Sequence, residues 1–427
     1  MSSVAASRPV IPAVLAQHTE DCVALRETRS VLVRSAQVTL EQLARLDERL
    51  RAHLDGLLVG GEAGAKLADE GLAKPGVGSA FTVAVLALQN ADAKRLEQLI
   101  ALARTLPQVR RGLISALGWV PAKSLRQVSA GWFATPDRFL RRLGIAACAV
   151  HRVDPGALLA GAIESRDPGL RAVAAGCAGE LGRLDMREAC LALLDDPEPR
   201  VRMHAARAAV LLGDRGRALD ACADLVLADE LRRFDALPTA MLAADRKRAN
   251  ALLERVAQRR DEKQPASIRL VIYAVALAGD LRFIDWLISL MRDPLYARLA
   301  GEAFAIMTGA DLALLDLESK PPDNPPAGPT DSPDDPVVAL DDDEGMAWPD
   351  PARVQAWWQA NKAGFALEAR HFVGTTPDAA HCQHVLRASR QRRRWVAALH
   401  LALAAPGSVL FNAAAPAWRQ QRLLQAK

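Results

Sequence analysis

A short motif recurs at a nearly constant interval between about residue 78 and residue 312. Each copy is an apolar residue followed by arginine, and it opens a short Ala-rich helical stretch that often closes with glycine. Consecutive arginines lie 31, 30, 31, 30, 37 and 29 residues apart. A fixed period of this length indicates a helix-turn-helix unit stacked on copies of itself, because each unit buries the face that its neighbour leaves exposed. The arginines are Arg110, Arg141, Arg171, Arg202, Arg232, Arg269 and Arg298.

Turn signals mark both ends of the repeated helices. An Asp side chain can cap the free N–H groups that start a helix, and proline is tolerated there because its missing N–H is not needed. Glycine accepts the left-handed conformation in which many helices end. These signals predict helical hairpins, with an insertion near Arg259 to Gln264 that explains the 37-residue interval. The turn pairs are Pro136-Asp137, Asp167-Pro168, Asp196-Pro197 and Asp293-Pro294, and the glycines are Gly118, Gly182, Gly213, Gly279 and Gly309.

The composition favours the same fold class. Half of the 427 residues are apolar but only 4% are aromatic, so Ala, Leu and Val must fill the interior, which suits closely packed helices better than sheets. We therefore expect an all-α chain with an α-solenoid of helical hairpins over residues 62–318. The formal charge of +4 is small for this length and does not by itself indicate nucleic-acid binding.

Nothing at the N-terminus predicts export. The apolar stretch Val10 to Ala16 is short, contains Pro12 and is followed by charged residues, unlike a signal peptide. The sequence also lacks an uncharged apolar run of the roughly 18 residues that a membrane-spanning helix needs. The six cysteines form no CxxC pair and are expected to be reduced, buried small hydrophobes. These features predict a cytoplasmic protein that makes no membrane contact.

Residues 1–61 are expected to form two helices that cap the solenoid, since an open terminal repeat would leave an apolar face in water. The second helix is predicted to begin at Thr39, with Gln42 three positions on in a capping-box arrangement. A leucine stripe at helical spacing follows and ends at Gly60-Gly61. The stripe consists of Leu40, Leu43, Leu50, Leu54 and Leu57.

Residues 319–346 are rich in Pro and Asp and are expected to be a disordered linker, because they cannot bury enough apolar surface to order themselves. The acidic cluster in this segment lacks the alternating oxygen ligands and the turn glycine of an EF-hand loop. We interpret it as solvated rather than as a metal site. The cluster consists of Asp341, Asp342, Asp343 and Glu344.

Residues 347–427 are predicted to form a small basic helical region. From residue 351 onward, 11 Lys or Arg residues face two acidic ones, a net charge of +9. An apolar helix is predicted over Trp395 to Ala405. It is preceded by a basic run that consists of Arg387, Arg390, Arg392, Arg393 and Arg394. The run could bind phosphates, a negatively charged protein or the acidic linker of its own chain. Trp357 and Trp358 lie on a helix expected from Pro351 and are interpreted first as core anchors. The candidate partner-binding residues are Arg387, Arg390, Arg392, Arg393, Arg394, Trp357 and Trp358.

The sequence contains no recognised catalytic or cofactor motif, neither a Gly-rich phosphate loop nor HExxH nor GxSxG. His381, Cys382 and His384 come nearest to a metal site but lack a fourth ligand. His53 and Asp55 lie two residues apart and do not face each other on a helix, and His18 has no evident partner. We therefore expect a protein that is not an enzyme and that has no cofactor or structural metal.

The repeat resembles HEAT repeats, in particular short HEAT-like units with the pattern Asp-Pro-x-Val-Arg-x-x-Ala-Ala, as in Asp196 to Ala206. The resemblance implies that the recurrent arginine has a structural role, commonly pairing with a turn Asp of an adjacent repeat, although direct ligand contact is the alternative. The resemblance also implies two alternative functions. Some HEAT-like proteins resemble DNA glycosylases that wrap a duplex, and enzymes of the bilin-lyase class use similar repeats.

The chain as a whole resembles a family of uncharacterised bacterial proteins encoded near type VI secretion components. This resemblance implies a role beside the secretion spike, as an adaptor or chaperone that helps load an effector. The leading hypothesis is therefore a protein-binding scaffold, with nucleic-acid binding and bilin-lyase chemistry as alternatives. The segments that carry the resemblance are Ala52 to Gly56, Gly112 to Trp119, Glu180 to Asp185, Gly301 to Gly309, Pro349 to Trp358 and Arg392 to Leu403.

Overall fold

The computed structural model describes residues 11–228, 233–261, 263–322 and 341–425. Within these ranges the chain is all α, as predicted: it forms 22 α-helices and no β-strand. The chain divides into two compact units, unit 1 of Met1–Leu181 with Asn412–Lys427 and unit 2 of Gly182–Phe411. These units do not coincide with the four segments expected from the sequence, because the last residues belong to unit 1.

Unit 1 contains eleven of the described helices. They are α1 (Pro12–Leu32), α2 (Leu40–Val59), α3 (Gly61–Glu70), α4 (Val77–Gln89), α5 (Ala93–Thr105), α6 (Pro107–Trp119), α7 (Arg126–Ala134), α8 (Arg138–His151), α9 (Leu158–Ile163), α10 (Pro168–Leu181) and α22 (Ala417–Gln425).

Unit 2 contains the other eleven described helices. They are α11 (Arg187–Ala192), α12 (Pro199–Leu211), α13 (Arg217–Ala228), α14 (Arg233–Ala243), α15 (Arg246–Gln258), α16 (Pro265–Ala278), α17 (Ile284–Leu290), α18 (Ala297–Thr308), α19 (Pro351–Asn361), α20 (Ala379–Ala388) and α21 (Gln391–Ala404).

The predicted N-terminal helix pair is confirmed in α1 and α2. The side chain of Thr39 accepts a hydrogen bond from the backbone N–H of Gln42, and the Gln42 side chain accepts one from the N–H of Thr39. Both halves of the capping box are therefore present. The leucine stripe of α2 faces the core of unit 1, and four of its five members are buried: Leu43, Leu50, Leu54 and Leu57.

The helix-terminal glycines behave as predicted with one exception. Gly279 and Gly309 follow α16 and α18 with φ of +62° and +74°, the left-handed conformation that glycine adopts without strain. Gly182 and Gly213 also have positive φ. The prediction is wrong for Gly118, which lies inside α6, because that helix continues to Trp119 and ends at the extended residue Val120.

Alternate helices from α6 to α12, and then α16 and α18, carry the repeat arginine in their first two turns. In four of them it is the fourth helical residue: Arg110 in α6, Arg141 in α8, Arg171 in α10 and Arg202 in α12. The helix that follows each one is the second arm of the hairpin. Arg232 lies outside the described residues.

A buried histidine makes the stability of unit 2 depend on pH. His400 of α21 is 9% exposed, and its ring lies 5.2 Å from that of Phe372. Burial, together with the nearby Arg370 and His381, lowers the pKa of His400 from 6.5 to about 3. The folded chain therefore holds this imidazole neutral where an unfolded chain would protonate it.

We expect the unfolding free energy of unit 2 to fall as the pH drops from 6.5 towards 3, by up to about 1.4 kcal/mol per pH unit from His400 alone. Above pH 6.5 this contribution is fully present. Urea unfolding of His400→Gln at several pH values should show a shallower slope. His384→Gln, at an exposed position of α20, is the matched control and should keep the original slope. Equal slopes for the two variants would contradict this assignment.

No helix in the described ranges is both long enough and apolar enough to cross a membrane.

Candidate partner-binding site

Three repeat arginines donate hydrogen bonds to the turn that precedes their own helix. Arg141 Nε contacts the carbonyl of Thr135 at 2.7 Å, and Arg171 Nη1 contacts that of Ser165 at 2.9 Å. Arg202 Nη1 contacts the carbonyl of Asp196 at 2.8 Å. The acceptor lies six residues back in each case, because a helical side chain leans towards the helix N-terminus. These three contacts lie within one repeat, and the expected pairing with a turn Asp of an adjacent repeat stays a prediction.

The turn aspartates cap the helices. Asp137 accepts hydrogen bonds from the N–H groups of Phe139 and Leu140, at 2.9 and 3.2 Å. Asp167 accepts one from the N–H of Leu170 at 2.6 Å. The arginine and the aspartate of one turn thus satisfy different backbone groups, the carbonyls of the loop and the first N–H groups of the helix. Both residues hold the hairpin in shape.

The last two repeat arginines bind the acidic cluster. Arg269 forms a two-pronged ion pair with Asp343, with N–O distances of 2.5 and 2.6 Å. Arg298 pairs with Asp341 at 2.6 Å and lies over the ring of Trp348. The carboxylates of Asp341 and Asp343 are 7% and 4% exposed.

The prediction of a solvated acidic cluster is therefore wrong for Asp341 and Asp343, whereas Asp342 and Glu344 are exposed. Two charges that the sequence assigned to solvent are neutralised by the solenoid, because the segment folds back onto α16 and α18. The ends of the predicted linker also meet. The N–H of Ser319 donates to the carbonyl of Trp348 at 2.7 Å, and that of Asp350 donates to Leu317 at 2.8 Å. Residues 323–340 of the predicted linker lie outside the described residues.

Two arginines of the basic run are buried. Arg394 is fully buried and donates from Nε to the carbonyl of Leu386 at 2.7 Å, and burial lowers its pKa to about 10. Arg393 pairs with Glu302 at 3.3 Å, and both side chains are under 8% exposed. The helix α21 begins at Gln391, ahead of the predicted start at Trp395, so this half of the run points inward. A partner cannot reach these two side chains.

The other candidate residues differ in accessibility. Arg387 is exposed and Arg392 is half-buried, and neither forms an ion pair with a described residue. Arg390 pairs with Asp311 at 3.1 Å. Trp358 is buried, with its ring 5.5 Å from that of Phe365, as the core-anchor interpretation predicts. Trp357 is half-buried, and its ring lies 5.7 Å from that of Phe304.

The histidines on α20 do not meet at one point. His381 Nε2 lies 2.7 Å from the carbonyl of Phe372, while His384 is exposed. No group of three His, Cys, Asp or Glu residues suited to a metal ion occurs among the described residues.

A histidine pair that the sequence did not predict joins α1 and α2. His18 Nδ1 lies 3.0 Å from His53 Nδ1, and His53 lies 3.4 Å from Asp21. Gly56 makes room for this pair, since a Cβ there would come within 2.6 Å of the His18 ring. His18 and His53 are 35 residues apart, so no local spacing could connect them. Gly56, in the Ala52 to Gly56 segment, is the sequence feature that could have indicated a close contact with another helix here.

Comparison with known proteins agrees with the repeat geometry. Residues 155–238 match the family model described as HEAT repeats. The predicted all-α, HEAT-like solenoid is thereby confirmed. HEAT repeats commonly serve as protein-interaction scaffolds. No curated protein matches the chain.

Proposed function

We propose that this HEAT-like chain is an adaptor or chaperone that binds an acidic protein partner, an effector or spike component of a type VI secretion system. The repeat match supports the scaffold role. The partner's identity rests on the whole-chain resemblance to proteins encoded near type VI secretion components. The acidic character of the partner rests on the α20–α21 hairpin, which we call the basic hairpin.

The observation that carries the proposal is the division of the basic hairpin into an inner and an outer set of arginines. Arg393 and Arg394 are buried and hold α21 in place. Arg387 and Arg392 reach the surface without a carboxylate partner among the described residues. The acidic cluster of the chain itself binds Arg269 and Arg298. The outer arginines are therefore available to carboxylates of another protein.

The division of the basic hairpin into buried and accessible arginines favours a protein partner over a nucleic-acid partner. A protein whose duplex binding depends strongly on salt can neutralise about 6–10 phosphates with Lys and Arg. Burial of two arginines and the ion pair of Arg390 with Asp311 leave two cations of the predicted run for an external anion. Two cations suit a small complementary patch on a protein surface, where they contribute to orientation and association rate.

The test is titration of purified effector and spike proteins from the chain's own gene neighbourhood. We expect at least one to bind with micromolar or tighter affinity, and Arg387→Glu with Arg392→Glu to weaken that binding by about tenfold or more, since like charges across an interface repel. The control is Arg138→Glu with Arg292→Glu, which makes the same change of charge at two exposed positions elsewhere on the chain.

Equal binding by the two double variants would place the partner elsewhere on the chain and reject the basic hairpin. Failure of every secretion protein to bind would reject the type VI assignment. Retardation of DNA in a gel shift at physiological salt, lost in the Arg387/Arg392 variant, would instead favour the nucleic-acid alternative.

A further inference from the structure

Unit 1 contains a cavity of about 470 Å³ that the proposed scaffold role does not use. It lies where α22 meets the C-terminal ends of α4, α6 and α8 and one side of α2. The size suits a small molecule rather than a single ion. Its lining residues are Arg51, Asp55, Gln89, Trp119, Pro121, Ala122, His151, Trp418, Arg419, Arg422 and Leu423.

Helix α22 is fixed in place beside this cavity by a buried network. The N–H of Ala417, the first residue of α22, donates to Asp47 Oδ2 at 2.7 Å. Arg29 pairs with the same carboxylate at 2.6 Å and donates to the carbonyl of Ala415 at 3.0 Å. Gln420 Nε2 donates to the carbonyl of Ala413 at 2.9 Å. The wall formed by α22 is therefore held rigidly, which favours recognition of a ligand of defined shape.

The charged side chains of the cavity are mostly positive. Arg51, Arg419 and Arg422 contribute three guanidinium groups against the single carboxylate of Asp55, a formal charge of +2. Burial and the neighbouring Arg419 lower the pKa of His151, whose Nε2 lies 2.7 Å from the carbonyl of Leu117. The imidazole is thus neutral at pH 7 and leaves the charge to the arginines. No ion pair joins these three arginines to another described residue.

Arg419 is the least exposed of the three cavity arginines. Its Nη1 atom is buried and has no hydrogen-bond partner among the described residues. Burial, with Arg422 and Arg29 nearby, lowers the pKa of Arg419 to about 10. Because Nη1 itself is shielded from water, the other N–H groups of this guanidinium are the ones that can face the cavity.

Two tryptophans give the cavity an aromatic wall. The rings of Trp119 and Trp418 meet edge to face, with centroids 4.6 Å apart. Trp119 is 5% exposed and Trp418 is half-buried, so Trp418 is the one open to a ligand. An aromatic face beside guanidinium groups can hold the planar part of a ligand whose charged end binds the arginines.

We propose that this cavity binds a small phosphate monoester through Arg51, Arg419 and Arg422, with its organic part against Trp418. A phosphate monoester carries about −1.5 to −2 charge at pH 7, which matches the +2 of the lining. Its several acceptor oxygens can serve three guanidinium groups at once.

Calorimetric titration of the full-length protein with phenyl phosphate and with inorganic phosphate tests this site. We expect one phenyl phosphate per chain with a Kd below about 1 mM. Inorganic phosphate should bind more weakly, because it has no group to contact Trp418. The melting temperature should rise with ligand concentration. Loss of a charged hydrogen bond should make Arg51→Gln and Arg422→Gln each bind about tenfold or more weakly.

The matched control is Arg49→Gln. Arg49 is an exposed arginine of α2 two residues before Arg51, so it points to another side of the helix. It should bind phenyl phosphate like the unaltered chain. Arg51 and Arg422 are both exposed, so their replacement should leave the melting temperature without ligand unchanged. No saturable binding, or equal weakening by Arg49→Gln and Arg51→Gln, would overturn the proposal.

Discussion

Replacing Asp47 with alanine should lower the unfolding free energy of unit 1 by about 3–5 kcal/mol, the usual loss when one partner of a buried ion pair is removed. Asp47 is fully buried and accepts hydrogen bonds from Arg29, at 2.6 and 3.3 Å, and from the N–H of Ala417. Without the carboxylate, the guanidinium of Arg29 stays buried with only backbone carbonyls as partners. Urea unfolding followed by far-UV circular dichroism measures the loss.

The same helix provides a matched control. Glu41 pairs with Arg45 one turn away, but both side chains are more than 70% exposed. Exposed pairs of this kind contribute about 0.3–0.5 kcal/mol, so Glu41→Ala should change stability little. The double variant Arg29→Met with Asp47→Leu should be more stable than Asp47→Ala, because it leaves no unpaired buried charge. A loss in Asp47→Ala no larger than in Glu41→Ala would show that the network does not stabilise unit 1.

Replacing Asp341 with alanine should have the second largest effect, a loss of about 3 kcal/mol or more in unit 2. The carboxylate and its partner Arg298 are both 7% exposed, so the substitution leaves a buried guanidinium without its ion pair. The neighbouring pair of Asp343 with Arg269 should hold part of the segment in place, and Asp341→Ala with Asp343→Ala should release it. Limited proteolysis would then cut faster near residues 341–346.

Asp342 is the control for this prediction. It lies between the two buried carboxylates but is exposed, so Asp342→Ala should stay within about 0.5 kcal/mol of the unaltered chain. Similar protease sensitivity of Asp342→Ala and Asp341→Ala with Asp343→Ala would contradict the docking of this segment by its ion pairs.

The local parts of the structure could be predicted from sequence. The capping box of Thr39 and Gln42, the leucine stripe of α2 and the helix beginning at Pro351 all depend on residues within a few positions of one another. The repeat itself was predictable, because its period reports a unit that packs on copies of itself. The error at Gly118 also has a local origin, since glycine permits a helix end without requiring one.

The candidate sites were less predictable, because their contacts join distant parts of the chain. Arg393 and Glu302 are 91 residues apart, and Arg269 and Asp343 are 74 apart. The sequence of a basic run is the same whether its side chains are solvated or paired with other residues, and the same holds for an acidic cluster. The cavity of unit 1 likewise combines α2 with α22, whose first residue contacts Asp47 across 370 positions.

The sequence by itself determined the helical class, the repeat and most helix ends, because hydrophobic period, caps and turns act over one or two helical turns. Only the tertiary structure decided which charges are buried and which are available. Which ionised side chains pair with each other depends on where packing excludes water, and that is a property of the folded chain. For this reason Arg393 and Arg394 are buried and stabilise α21, while Arg387 and Arg392 reach the surface.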